Sequence, residues 1–267
     1  MVHVDTEQSK SRRHASFRDI LEAETLVQEQ TYELYGKWFV RFGQAIDILL
    51  ELCYHECSLP GEQNSDDYCF IVATLYSYYE MALSFRSCSV LMEKGLYQDS
   101  LNCCRSLLEN LVKYKYLFDH KDQIIAYETD GKDSKGEKVT IRRAWEHVAG
   151  KGSQKKTYHF LSKFEHRNFG SSLPRLNAVS NKSKTISLLP RFNKLLAEIA
   201  INNLLFLLFG YINLADRFFP YKQPIHLANF FESYTDIKTF FHAQIQKKKT
   251  DFPQSAQWCE VMEKIVY

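Results

Sequence analysis

Arg105 and Glu109 stand four residues apart in the stretch LNCCRSLLENLVKYKYL. On a helix, a guanidinium and a carboxylate one turn apart close a salt bridge. The same projection puts Leu101, Leu108, Val112 and Tyr116 on one face, with Arg105 in its middle. Charges on an apolar stripe must be paired and hydrogen-bonded, because a lone buried charge costs several kcal/mol. The pair is therefore either a buried structural link that fixes helix register or half of a polar site completed by another helix. KTYHFLSKFEHRNFG is a candidate for that other half: Tyr158, Ser162, Glu165, His166 and Phe169 share roughly one helical face. Tyr, Ser, Glu and His can form a hydrogen-bond network, and His has the unperturbed pKa that suits proton transfer near neutrality. The plain alternative is the exposed face of a short helix. RRAWEH adds Arg142 and His147, separated by four residues, with Arg143 beside the first. A cation and a His about one turn apart can hold a phosphate and supply acid–base catalysis at the 2′-OH of RNA. With nine His and 34 Lys+Arg in the chain, such spacings also arise by chance. A solvated basic helix is the plain alternative there.

Other chemistries lack their signatures. There is no P-loop, no GxGxxG, no HExxH and no GxSxG. Seven cysteines, Cys53, Cys57, Cys69, Cys88, Cys103, Cys104 and Cys259, lie outside any framework of short loops. They read as the reduced thiols of a cytoplasmic protein. CYHEC sets Cys53 and Cys57 at helical i, i+4 spacing, but no second Cys/His pair with ligand spacing accompanies them, so they read as small buried hydrophobes. A di-metal carboxylate centre using Glu109, Glu165 and His166 would need paired Glu-x-x-His motifs, which are missing. No metal and no cofactor is expected. Lys247, Lys248 and Lys249 are explained by the negative end of a helix dipole.

The elements that position these residues read as helices. Gly (10) and Pro (6) are scarce in 267 residues, too few for the turns of a β-sandwich. A formal net charge of +2 gives no global field toward nucleic acid or membrane. Periodicity predicts one helix from about residue 17 to 56, a break at SLPGEQNSDD, and a second from about 67 to 94 closed by Gly95 in an αL cap. A third helix, capped by Asp99 or Ser100, runs to about Tyr127. A polar loop, ETDGKDSKGEKVT, is the natural mobile segment. RRAWEH then forms a short helix ending at Gly150 or Gly152. Pro190 opens an apolar helix to Phe219, whose unbroken apolar part is far shorter than the roughly 20 residues of a membrane span. A last helix covers about 227–247. The expectation is an all-α bundle of long antiparallel helices: residues 1–16 as a flexible N-terminal segment, 17–267 as one helical domain, with no membrane association.

SCSVLMEKGLYQDSLNCCRSLLENLVKYKYL followed by YHFLSKFEH resembles a widespread family of uncharacterised prokaryotic helical proteins, over roughly residues 70–168. The shared pattern is a helix, a Gly-containing turn, a helix carrying Arg-x-x-x-Glu, a variable loop and a Tyr-x-x-x-Ser-x-x-x-His helix. Arg105, Glu109, Tyr158, Ser162 and His166 occupy those places. That family looks like a relative of the HEPN superfamily, whose members are often helical dimers. Many are metal-independent ribonucleases of toxin–antitoxin, abortive-infection and CRISPR-linked systems, and others are binding modules. The resemblance implies a HEPN-like bundle, an RNA partner, and a homodimer or another protein partner. It implies His166 as general acid/base, Arg105 on the phosphate, Glu109 orienting Arg105, and Tyr158 and Ser162 as their support, with the 2′-OH of RNA as nucleophile. The usual HEPN signature is Arg and then His after four to six residues, often with Asn, Asp or His next to the Arg; only Arg142 and His147 fit that spacing, and Arg143 follows the Arg instead. The alternative expectation is a non-catalytic dimerisation or partner-binding module with a structural polar cluster.

Overall fold

Helical periodicity becomes seven α-helices among the described residues of the computed structural model, which are 16–54, 65–130, 132, 135–151, 189–218 and 228–251. They are α1 (Phe17–Tyr54), α2 (Asp66–Glu93), α3 (Tyr97–Asp119), α4 (Ile124–Asp130), α5 (Ile141–Ala149), α6 (Lys194–Phe218) and α7 (Ala228–Asp251), with a 3₁₀ turn at Lys121–Gln123 before α4. No strand occurs among the described residues; a single antiparallel bridge joins Lys132 and Lys138. Tyr158, Ser162, Glu165 and His166, the helix expected to carry them, and the N-terminal segment up to residue 15 lie outside the described residues.

Local chemistry sets the helix ends. Ser65 caps α2, its Oγ accepting from the Tyr68 N–H at 3.2 Å, and Asp66 and Asp67 sit on the positive end of the dipole. At the other end the Leu96 N–H donates to the Leu91 carbonyl and the Gly95 N–H to the Met92 carbonyl. These are the two bonds of a Schellman cap, and Gly95 takes the left-handed backbone it needs, with φ of 77°. The turn also presses on α1, where a Cβ on Gly95 would stand 2.8 Å from Val27 Cγ1.

Three boundaries differ from the sequence reading. α3 starts at Tyr97, ahead of Asp99 and Ser100, because the Ser100 hydroxyl donates to the Cys88 carbonyl on α2 rather than capping its own helix. α3 ends at Asp119, since His120 leaves the helical region (φ −137°, ψ 58°) and its ring packs against Tyr116. α6 starts at Lys194, with the Asn193 Oδ1 accepting from the Leu196 N–H, so Asn193 rather than Pro190 opens it. The loop expected to be mobile is tied down where it is described: α4 runs to Asp130, Lys132 bridges to Lys138, Val139 is buried, and Thr140 caps α5.

α6 lies at the centre of the core. It has the length and hydropathy of a membrane span over Lys194–Ala215, and 72% of its most apolar stretch is buried by the other helices. Tyr211 knits three elements together. Its hydroxyl donates to the Leu107 carbonyl on α3 at 2.9 Å, and its own carbonyl accepts from the Tyr78 hydroxyl on α2 at 3.0 Å. These bonds satisfy the polar ends of two buried phenols while their rings fill the core.

Candidate functional site

α3 carries two polar constellations, one near its middle and one at its C-terminus. In the first, Arg105 Nε donates to Glu109 Oε1 at 2.9 Å, with the two side chains only 13% and 23% exposed. The i, i+4 pair expected from the sequence is formed, and it is mostly withdrawn from water. Gln98, Asn102, Arg105, Glu109 and Tyr116 follow one another at spacings of three, four and seven, which places all five on one stripe of α3. Gln98 Oε1, Asn102 Oδ1 and Arg105 Nη1 on this stripe are shielded from solvent.

The second constellation forms where α5 crosses the end of α3. Thr140 caps α5, and the buried Ala144 and Trp145 anchor its inner face. Arg142 and His147 are left on the outer side. His147 Nε2 lies 2.9 Å from Asp119 Oδ2, with side chains 38% and 46% exposed. The His147 ring meets the Tyr116 ring edge-on at 5.3 Å and the His120 ring at 4.9 Å. Arg143 lies over the Tyr116 ring at 5.8 Å and pairs with Glu137 at 3.4 Å. Arg142 pairs with Glu146 one turn on, at 3.0 Å. Lys115 and Arg217 add positive charge: burial, then the repulsion of Arg217, push the Lys115 ammonium down from 10.5 to about 8, against the pull of Asp119.

Asp119 fixes what His147 can do. With Nε2–H donated to the carboxylate, Nδ1 is left to take or return a proton, and the imidazolium that forms faces a negative charge. The imidazole is thereby held in one orientation at a solvent-facing position. Arg105 and His147 are not brought together. Ten residues separate Glu109 from Asp119, about 15 Å along the helix axis. The residues that hold His147 were missed in the sequence, although Tyr116, Asp119 and His120 at i, i+3, i+4 set a phenol, a carboxylate and an imidazole together at one helix end.

Cys88 and Cys104 are free, buried and 3.6 Å apart, and the hydrogen bond to Cys88 together with burial pushes the Cys103 thiol up. Among the described residues no three His, Cys, Asp or Glu side chains are arranged to hold a metal ion.

Over its described residues, then, the chain is all-helical, with a histidine of α5 held by the carboxylate that ends α3. Residues 72–169 match DUF5677, a family of unknown function. That span takes in both constellations and also the positions of Tyr158, Ser162 and His166. No curated protein and no solved structure matches the chain.

Proposed function

We propose that the protein is a HEPN-like helical effector of a bacterial defence or toxin-type system, and that it binds and cleaves RNA without a metal. The observation that carries this reading is the 2.9 Å contact of His147 with Asp119, at a solvent-facing site. Arg142 lies five residues earlier, at the Arg-x₄-His spacing, Arg143 lies over the Tyr116 ring, and Lys115 adds positive charge beside Asp119. The chemistry needs no cofactor. His147 Nδ1 takes the proton of the RNA 2′-OH, and the 2′-oxygen bonds to the adjacent phosphorus. The bond from phosphorus to the 5′-oxygen breaks, and the imidazolium returns its proton to that leaving oxygen. The products are a 2′,3′-cyclic phosphate and a 5′-OH. Arg142 and Arg143 stabilise the charge on the phosphoryl oxygens.

The test is cleavage of end-labelled single-stranded RNA in excess EDTA. The expected products carry 2′,3′-cyclic phosphate ends, and His147→Ala lowers the rate by at least about a hundredfold. His166→Ala is assayed beside it. Loss with His166→Ala and retention with His147→Ala would move the acid–base role to the Arg105–Glu109 constellation. Intact RNA throughout would overturn the reading and leave the second one, a non-catalytic partner-binding module. The observation favouring that second reading is the burial of Arg105 and Glu109.

A further inference from the structure

A groove of about 690 Å³ opens between α1 and α7, elements that take no part in the His147 site. That volume falls inside the roughly 300–1,000 Å³ of small-molecule sites. Trp38 and Phe240 give it an aromatic wall, their rings 5.4 Å apart and inclined at 61°. The Arg41 guanidinium rests on the Phe240 face, 5.0 Å from its centroid. Arg41 Nη1 donates to Gln44 Oε1 at 3.2 Å and to Asp236. Both bonds leave from the same nitrogen, so Nε and Nη2 keep their donors for something else. Among the described residues, the Lys37 ammonium, the Gln44 amide nitrogen and the Gln244 amide lining the groove make no hydrogen bond or ion pair.

These groups select their occupant. An aromatic wall calls for a flat ring. A lysine and an arginine with open donors call for an anion, and Asp236 offsets only one of the two charges. Two amides read the donor and acceptor edge of a heterocycle. We propose that the groove binds a free nucleotide, with its base against Trp38, its ring edge on Gln44 and Gln244, and its phosphate on Lys37 and Arg41. This site is separate from the ribonuclease reading and does not rest on it.

The test is a titration of the full chain, followed by tryptophan fluorescence and calorimetry. The probes are adenosine monophosphate, adenosine, inorganic phosphate and a six-nucleotide single-stranded RNA. Saturable quenching by the monophosphate is expected, with adenosine and phosphate each at least about tenfold weaker. Lys37→Glu, at an exposed position, weakens monophosphate binding about tenfold with an unchanged circular dichroism spectrum. Trp38→Phe keeps calorimetric binding while removing most of the quenching. Absence of saturation at millimolar nucleotide overturns the proposal, as does unchanged affinity in Lys37→Glu. Saturation by the RNA but not by the monophosphate also overturns it, since the occupant would then be a strand. RNA cleavage measured on the same samples separates the two ideas: cleavage without a nucleotide response removes only this site, and a nucleotide response without cleavage removes only the ribonuclease.

Discussion

Arg105 and Glu109 test how a buried pair is held. With the two side chains 13% and 23% exposed and 2.9 Å apart, each charge faces the other in a mostly dry seam. Arg105→Met alone leaves a carboxylate in a largely dry seam and is expected to cost about 3 kcal/mol. Arg105→Met/Glu109→Leu removes both charges and is expected to lie within about 1 kcal/mol of the parent. Urea unfolding of the parent, Arg105→Met, Glu109→Leu and the double variant decides it, and a double variant as damaged as the sum of the singles would show that the charges act independently. Lys115 makes a claim about pH. Its folded pKa, about 8, lies below the ordinary 10.5, so the folded state binds fewer protons between those values and stability rises with pH across that window. Below about pH 8 the full cost of the half-buried ammonium is present. Lys115→Met is therefore expected to be about 1 kcal/mol more stable than the parent at pH 7, with the gap closing toward pH 10. A gap unchanged between those two pH values would refute the assignment. The Arg105–Glu109 pair was legible in the sequence because both partners sit on one helix. His147 and Asp119 lie 28 residues apart, and no periodicity links them until α5 folds back onto α3.

The elements were legible where the local code was unopposed. Ser65, the aspartates after it and Gly95 set the two ends of α2 by their own hydrogen bonding and backbone preference. The start of α3 went astray because a tertiary partner claimed the capping group: the Cys88 carbonyl of α2 takes the Ser100 hydroxyl. α2 shows the other limit of periodicity. It has apolar residues all round, with Phe70, Tyr78 and Phe85 buried and Val72, Tyr76 and Leu83 exposed, so its pattern alone could not say which face meets the core. The α2–α3 turn is the junction most sensitive to sequence. Gly95→Ala meets two penalties, a side chain at φ of 77° and a Cβ 2.8 Å from the stiff Val27 Cγ1. A loss of about 2–3 kcal/mol is expected. Gly136→Ala has the same φ of 77° but open space, so about 1 kcal/mol is expected there. Equal losses at the two sites would mean that the turn does not press on α1.

At the scale of the whole molecule, the all-α class followed from scarce glycine and proline, whereas the arrangement of the helices depended on contacts that no single segment encodes. Phe42 of α1, Phe85 of α2, Leu108 of α3, Ile124 of α4, Trp145 of α5, Leu207 of α6 and Phe241 of α7 all belong to one contiguous core. Because every described helix buries part of its surface in that cluster, none of them can leave without exposing its neighbours' apolar faces. The described helices are therefore expected to unfold together, with far-ultraviolet circular dichroism and tryptophan fluorescence giving one midpoint in urea. Leu207 is the residue to perturb, being fully buried on the central α6. Leu207→Ala opens a cavity expected to cost about 3 kcal/mol, and it should lower both midpoints by the same amount with no second transition. Separate midpoints, or a shift confined to one probe, would show that the helices form more than one cooperative unit. In that case the His147 site on α3 and α5 and the groove between α1 and α7 would rest on parts of the chain that can unfold independently.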